Sequence, residues 1–265
     1  MAPIQFSANP KPSAANPGQP KESEELMARQ NDNDPPGNSA HPHESAEKGK
    51  ITLEMMRQRL TVPLLCDALD AAGFRHQSPR LPISPITLPD VTLIGRCKTS
   101  LWADMAHVDP EPYKLELAAV DSCRPDDVLV CAASGSMRSG IWGELLSTAA
   151  GNSGCIGVVV DGAVRDVAQM RRMKFPVFAR GVCPYDSRDR QRVIDFDITI
   201  EIDGVTIQPG DLIAADQDGI VIVPQQVEAD VVFSAWQKVH AENQVRDAIR
   251  AGMSATKAFE TFGVL

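Results

Sequence analysis

Apolar residues recur along this chain with two different periods, and the change from one to the other marks its elements. Thr52 stands where it can cap a short helix over residues 53–56. From Val62 to Ala72, residues Leu64, Leu65, Ala68 and Leu69 form a helical stripe that Gly73 closes. Residues 79–89 are punctuated by proline and must be irregular or lie at a sheet edge. A strand follows over 91–100, with Gly95 as a bulge position, and then an amphipathic helix over 110–122 carrying Leu115, Leu117, Ala118 and Val120. Residues 124–127 turn into a short buried strand over 128–132. The small residues of 133–140 read as a loop, 142–150 as a helix ended by Gly151 to Gly154, and 156–160 as a strand covered on both faces.

Beyond Asp161-Gly162 the pattern gives a helix over 167–173, a strand over 175–179 and a charged loop over 185–192. Phe196, Ile198, Ile200 and Ile202 then alternate with polar residues, the period of a half-buried strand. Turns at Asp203-Gly204, Pro209-Gly210 and Asp218-Gly219 fold the stretch to Pro224 into an antiparallel meander beside the parallel part. One long helix over 226–251 ends at Gly252 as a left-handed cap, and Ser254 starts a last short helix. Strand, helix and strand between residues 128 and 160 make a right-handed parallel βαβ unit. The loops leaving its two strands open on one edge of the sheet, where ligands of α/β proteins bind. Glu144 and the Arg165-Asp166 pair are therefore expected to be neighbours. The expected fold is a single α/β domain over residues 50–265.

Composition changes this picture at its beginning. Residues 1–49 hold eight of the twenty prolines and few large apolar side chains, so they read as a disordered leader in which His41 and His43 are solvated. A net charge of −9 without a basic run argues against nucleic acid or an anionic membrane surface as a partner. No apolar stretch reaches the roughly 18 residues that span a bilayer, and the start lacks a secretory signal. The six cysteines are scattered without a CxxC pair, which fits neither a zinc site nor a disulfide framework and suggests a reducing, cytoplasmic setting.

The candidate chemistry lies between Gly143 and Asp166. Unpaired N–H groups at a helix start can hold a carboxylate or phosphate, and Gly140 and Gly143 would let a ligand approach the backbone. Arg165 can grip a carboxylate, and Asp166 is a hard oxygen ligand for Mg²⁺ or Mn²⁺. The plainer alternative is that Asp166 caps the helix beginning at Val167 while Arg165 is a surface partner. Asp216 to Gly219 has a calcium-loop flavour, but lacks the downstream glutamate and is better read as a hairpin turn. His107 and His240 stand alone, and no Ser-His-Asp or Cys-His grouping supports nucleophilic catalysis.

The blocks WGELLSTAA, GCIGVVVDGAVRD, PVFARGVCPYDSR and GVTIQPGDLIAADQDGIVIVP, in this order, resemble the RraA-like family over residues 60–250. That family includes the 4-hydroxy-4-methyl-2-oxoglutarate and 4-carboxy-4-hydroxy-2-oxoadipate aldolases. The resemblance implies a swivelling β/β/α sandwich assembled as a homotrimer or a trimer-based hexamer. It also implies a class II, divalent-metal-dependent aldolase that forms pyruvate from a 2-keto acid, with oxaloacetate decarboxylation as a side activity. The family signature is an acidic residue, twenty intervening residues and Arg-Asp, matched here by Glu144 and Arg165-Asp166. By resemblance, Gly143, Glu144, Leu145 and Leu146 hold the pyruvyl group, Arg165 binds its carboxylate and Asp166 coordinates Mg²⁺ or Mn²⁺. Glu242 of a neighbouring subunit is the match for a glutamate that completes the site. The family also contains non-catalytic regulators that bind RNase E. The swivelling fold further admits a phosphohistidine carrier, for which His107 would be the residue available.

Overall fold

The computed structural model describes residues 50–263, so the leader expected over residues 1–49 lies outside it. Helix α1 (Leu53–Arg59) begins at Thr52, whose Oγ1 accepts the Met55 N–H at 3.2 Å, and α2 (Val62–Ala71) follows with the expected stripe buried. Gly73 adopts φ +87°, the left-handed conformation that ends a helix cheaply only at glycine. The proline-rich stretch contributes β1 (Ser84–Pro85), an edge strand as expected.

Strand β2 (Leu93–Asp104) is the axis of an eight-stranded mixed sheet. On one side it pairs in parallel with β3 (Asp127–Trp142). Gly95 is not a bulge: a Cβ there would lie 2.4 Å from the Asp126 carbonyl oxygen and 2.8 Å from Val128 Cγ2. Glycine is needed because the β2 and β3 backbones approach closely, and the register shift of β2 falls instead at Leu101/Trp102. Gly95→Ala is expected to destabilise the fold by about 3 kcal/mol, as overpacking does. A urea unfolding midpoint unchanged from the wild type would refute this.

Helix α3 (Lys114–Asp121) is shorter than the pattern suggested, and its buried face is Glu116, Ala119 and Val120, with Leu117 exposed. The largest departure is β3. Residues 133–140, expected as a loop, belong to this strand and continue it to Trp142 through three register shifts against β4 (Gly157–Val164). Ser134 and Gly135 both take positive φ, which kinks the strand without ending it. The helix α4 (Glu144–Asn152) consequently starts two residues late, and β4 runs past Asp161-Gly162 to Val164, buried throughout. β4 is followed by α5 (Val167–Met173) and the parallel strand β5 (Val177–Val182).

Two expectations for the meander are corrected. The alternating stretch is not one strand: Asp197 adopts φ 54°, so the chain breaks into β6 (Gln191–Phe196), antiparallel to β2, and β7 (Ile200–Ile202). β7 and β8 (Val205–Ile207) form their own two-stranded sheet around the Asp203-Gly204 turn. β9 (Leu212–Asp216) and β10 (Gly219–Val223) do not stand beside the parallel part but extend the same sheet, β9 pairing with β2 over Leu93–Arg96. Asp216 is a turn residue as read, its carboxylate accepting the N–H groups of Asp218 at 2.9 Å and Val62 at 2.8 Å. α6 (Glu228–Arg250) and α7 (Ala255–Phe262) follow, with Gly252 left-handed and Ser254 capping as expected.

Alternation along the strands sorts their side chains into layers. Leu129, Cys131, Val158 and Val160 face α3, α4 and α5, while Val128, Val130, Ala132 and Val159 face the β7–β8 hairpin. A third cluster joins α1, α2 and α6 beneath β9 and β10. The architecture is thus α/β, a hairpin layer, a mixed sheet and a helical layer. Among the described residues no helix is long and apolar enough to cross a membrane.

Candidate active site

Two parallel strands end side by side: Trp142 of β3 pairs with Val164 of β4, and the Arg165 N–H donates to the Trp142 carbonyl at 2.8 Å. The next residues leave the sheet together, Gly143 into α4 and Arg165-Asp166 into α5. Gly143 is extended, and a Cβ there would displace the Asp166 carboxylate, lying 2.5 Å from its Oδ2 and 3.2 Å from Arg165 Cγ. The expected meeting of Glu144 with Arg165-Asp166 is present: the Glu144 N–H donates to Asp166 Oδ2 at 3.3 Å.

That bond places the Asp166 side chain away from the cap of its own helix. Asp166 occupies the N-cap position of α5 in a left-handed conformation, φ 58°, yet its side chain makes no cap hydrogen bond there. The carboxylate is turned away from its own helix and meets the first N–H of α4 instead. Arg165 is held by two carboxylates. Its NH2 donates to Asp186 Oδ2 at 2.5 Å, and its Nε lies 3.9 Å from Asp166 Oδ2.

Asp186 fixes this arginine from the loop between β5 and β6. Its Oδ1 accepts the Tyr113 hydroxyl at 2.6 Å and the Arg188 N–H at 2.8 Å. Partial burial opposes its ionisation, but the Tyr113 and Arg188 hydrogen bonds and the charge of Arg165 outweigh that and hold the carboxyl below its usual range. Burial, and then the bond to Asp186, push the Tyr113 phenol up to about 12.

These groups wall a cavity of about 290 Å³, at the small end of ligand pockets. Gly143, Leu145, Leu146, Arg165 and Asp166 line it, as the sequence suggested, and Tyr113, Glu116, Asp186 and Ser187 close it. Those last four were missed. They come from α3 and the β5–β6 loop, and only the charge density of residues 185–192 hinted at two of them. Glu116 had a signal too, since it stands in the i, i+3, i+4 spacing with the buried Ala119 and Val120. It is 7% exposed, and burial, reinforced by Asp186, pushes its carboxyl up to about 8.

Two expected residues sit elsewhere within the single chain. The Glu144 side chain is not part of the cavity wall and accepts a hydrogen bond from Thr148 Oγ1 at 3.4 Å. Glu242 lies on α6 between Lys238 at 3.8 Å and Arg246 at 3.6 Å. Among the described residues no three His, Cys, Asp or Glu side chains converge on one point. Asp166, with its side chain 41% exposed, fits a hydrated ion held by one carboxylate, the habit of Mg²⁺, better than a closed cage. A larger cleft of about 470 Å³ near Phe74 and Gln225 lacks a comparable grouping, its Asp211 being taken up by the N–H groups of Gln208 and Gln225.

The Aldolase/RraA model of the RraA-like family matches residues 62–222. A Halalkalibacterium halodurans protein named "Putative 4-hydroxy-4-methyl-2-oxoglutarate aldolase" is 34% identical over 78% of this chain and 94% of its own length. Protein DlpA of Legionella pneumophila is 30% identical over 75% of this chain, which spans only 32% of that relative. A crystal structure of Streptomyces coelicolor RraAS2, described as an unusual member of the RNase ES inhibitor RraA family, superposes with a TM-score of 0.65. It is 25% identical, covering 80% of this chain and 99% of that one.

Proposed function

This chain belongs to the RraA-like family, and on that premise we propose that it is a divalent-metal-dependent lyase forming pyruvate from a 2-keto acid. The substrate type is 4-hydroxy-4-methyl-2-oxoglutarate, with oxaloacetate decarboxylation as a side activity. The observation that carries the reading is Asp166, whose carboxylate leaves its own helix to stand beside Arg165 at the start of α4. An arginine, a hard oxygen ligand and a helix start in one small cavity suit a keto acid, which presents a carboxylate and a carbonyl on adjacent carbons.

Asp166 would hold Mg²⁺ or Mn²⁺, with waters and the substrate filling the other positions and Glu242 of a neighbouring subunit as a further ligand. Bound there, the ion would supply Lewis-acid polarisation of the keto group. Arg165 grips the substrate carboxylate, and Asp186, pinned by Tyr113, sets the plane of its guanidinium. The N–H groups over Gly143 to Leu146 would meet the pyruvyl oxygens, that of Glu144 once it leaves Asp166 Oδ2. Cleavage moves the C3–C4 electron pair onto the pyruvyl half as an enolate while the C4 hydroxyl passes its proton to a water acting as base and becomes a carbonyl. The enolate then takes a proton at C3. Glu144, with its side chain outside the cavity wall, would reach that carbon only through an intervening water. Exposed Leu117 and Leu145 at the mouth suit burial against another copy in a trimer or hexamer.

Pyruvate release from 4-hydroxy-4-methyl-2-oxoglutarate and from oxaloacetate, coupled to lactate dehydrogenase, tests this. Turnover is expected with Mg²⁺ or Mn²⁺, abolished by EDTA and restored by excess metal. Likeness to RraAS2 favours a second reading, a ribonuclease regulator, which predicts protein binding and no keto-acid turnover. Silence on both substrates with metal present would decide for it.

A further inference from the structure

The proposed chemistry uses one end of the cavity and leaves Glu116 unassigned. This carboxyl projects from α3 into the wall of the same pocket, beside Ser187 and facing Arg165 and Asp186. Few acidic side chains are buried without a cationic partner at hydrogen-bond distance. The arginine nearby is already engaged by Asp186 at 2.5 Å. Tyr113, which immediately precedes α3, gives its hydroxyl to Asp186 as well. Behind Glu116, toward β6, stand Asp109 and Arg192, paired with each other at 3.2 Å. Among the described residues, no neighbouring element therefore presents a cation committed to Glu116. A side chain so placed can serve an acidic ligand only as a hydrogen-bond donor.

We propose that Glu116 is a substrate-contacting, specificity-determining residue: with Arg165 holding the keto-acid carboxylate, the Glu116 carboxyl donates a hydrogen bond to the second acidic group of a keto diacid. The inference rests on the reading of the pocket given above and deepens it, since it selects keto diacids over keto monoacids. Burial supports it by keeping the carboxyl protonated until about pH 8. The sign follows directly. Below that pH the group is neutral and donates; above it the carboxylate repels an incoming anion. Affinity for a diacid should then be flat from pH 6.5 to 7.5 and fall toward about tenfold per unit at higher pH, the limit for a single required proton.

Calorimetric titration with 2-oxoglutarate as the diacid probe and 2-oxobutyrate as the monoacid probe, both in Mg²⁺, tests the idea. The wild type should bind 2-oxoglutarate more tightly at pH 7 and lose that preference at pH 9.5. Glu116→Gln keeps a donor and cannot ionise, so it should retain the preference and abolish its pH dependence. Glu116→Leu should lose about tenfold in 2-oxoglutarate affinity, the worth of one lost hydrogen bond to a charged group, with 2-oxobutyrate unchanged. Circular dichroism melts establish that both variants fold. Equal 2-oxoglutarate binding by Glu116→Leu and wild type, or an unchanged pH profile in Glu116→Gln, overturns the proposal alone. Undiminished binding of both acids by Arg165→Ala overturns the pocket reading beneath it.

Discussion

Arg165→Ala is expected to cut pyruvate release by on the order of a thousandfold, and Asp166→Ala by a comparable factor. Removing one preorganised electrostatic contact to the reacting groups of an active site costs about 10²–10³ in rate. Removing Arg165 leaves the substrate carboxylate facing Asp186 across a small cavity, so repulsion adds to the lost attraction. Arg165→Lys should recover only part of the loss, because an ammonium cannot bridge Asp186 and a substrate carboxylate as a planar fork does. For Asp166 the discriminating variant is Asn, which keeps an oxygen for the Glu144 N–H but removes the charge. If that bond is only structural, Asn restores activity; if the charge holds a metal, it does not. Both variants should melt near the wild type, as these side chains are partly exposed. Wild-type rates in Arg165→Ala and Asp166→Ala together would remove the site assignment.

The largest stability loss is expected from Trp142→Ala, at about 3–5 kcal/mol. Trp142 is 1% exposed and stacks on Phe175 with ring centroids 6.5 Å apart. Its Nε1 donates to Ser147 Oγ at 2.8 Å, and that hydroxyl donates to the Gly143 carbonyl at 2.9 Å. Truncation opens a cavity under α4 and releases the hydroxyl that ties the helix start to the end of β3. Against a typical total of about 5–15 kcal/mol, this is a large fraction. Trp142→Phe should lose less, keeping most of the apolar contact and forfeiting about 1 kcal/mol for the hydrogen bond. Urea unfolding of the three proteins gives the comparison, and a Trp142→Ala loss under 1 kcal/mol would show that the ring is not what seats α4.

What could be read from the residues was local or followed from handedness. The stripe of α2, the caps at Thr52 and Ser254 and the end at Gly252 each depend on neighbours a few positions away. The meeting of Glu144 with Arg165-Asp166 followed from a parallel βαβ unit without any knowledge of side-chain packing. β3 was misjudged because ASGSMRSG has the composition of a loop. Its strand character comes from partners elsewhere, including the Tyr185 carbonyl that accepts the Gly140 N–H at 2.8 Å. Gly95 was misread for the same reason, since the atoms that forbid a side chain there belong to Asp126 and Val128. Tyr113 and Glu116 reach the cavity from the start of α3 and Asp186 from a loop 21 residues past Arg165, and no spacing rule connects them to Arg165.

The position of β2 has a consequence for how the chain is made. Its outer edge is shared by β9 at Leu93–Arg96 and β6 at Ser100–Asp104, strands synthesised long afterwards. At about 5–20 residues per second, β2 leaves the ribosome on the order of ten seconds before β9 does. For that interval a strand rich in apolar residues has an open edge, and α2 lacks the floor that Leu212, Ala214 and Val221 supply. The nascent chain must therefore carry its longest-range pairing as a late step, and a message cut short before the codons for β9 yields a polypeptide that cannot bury its own centre.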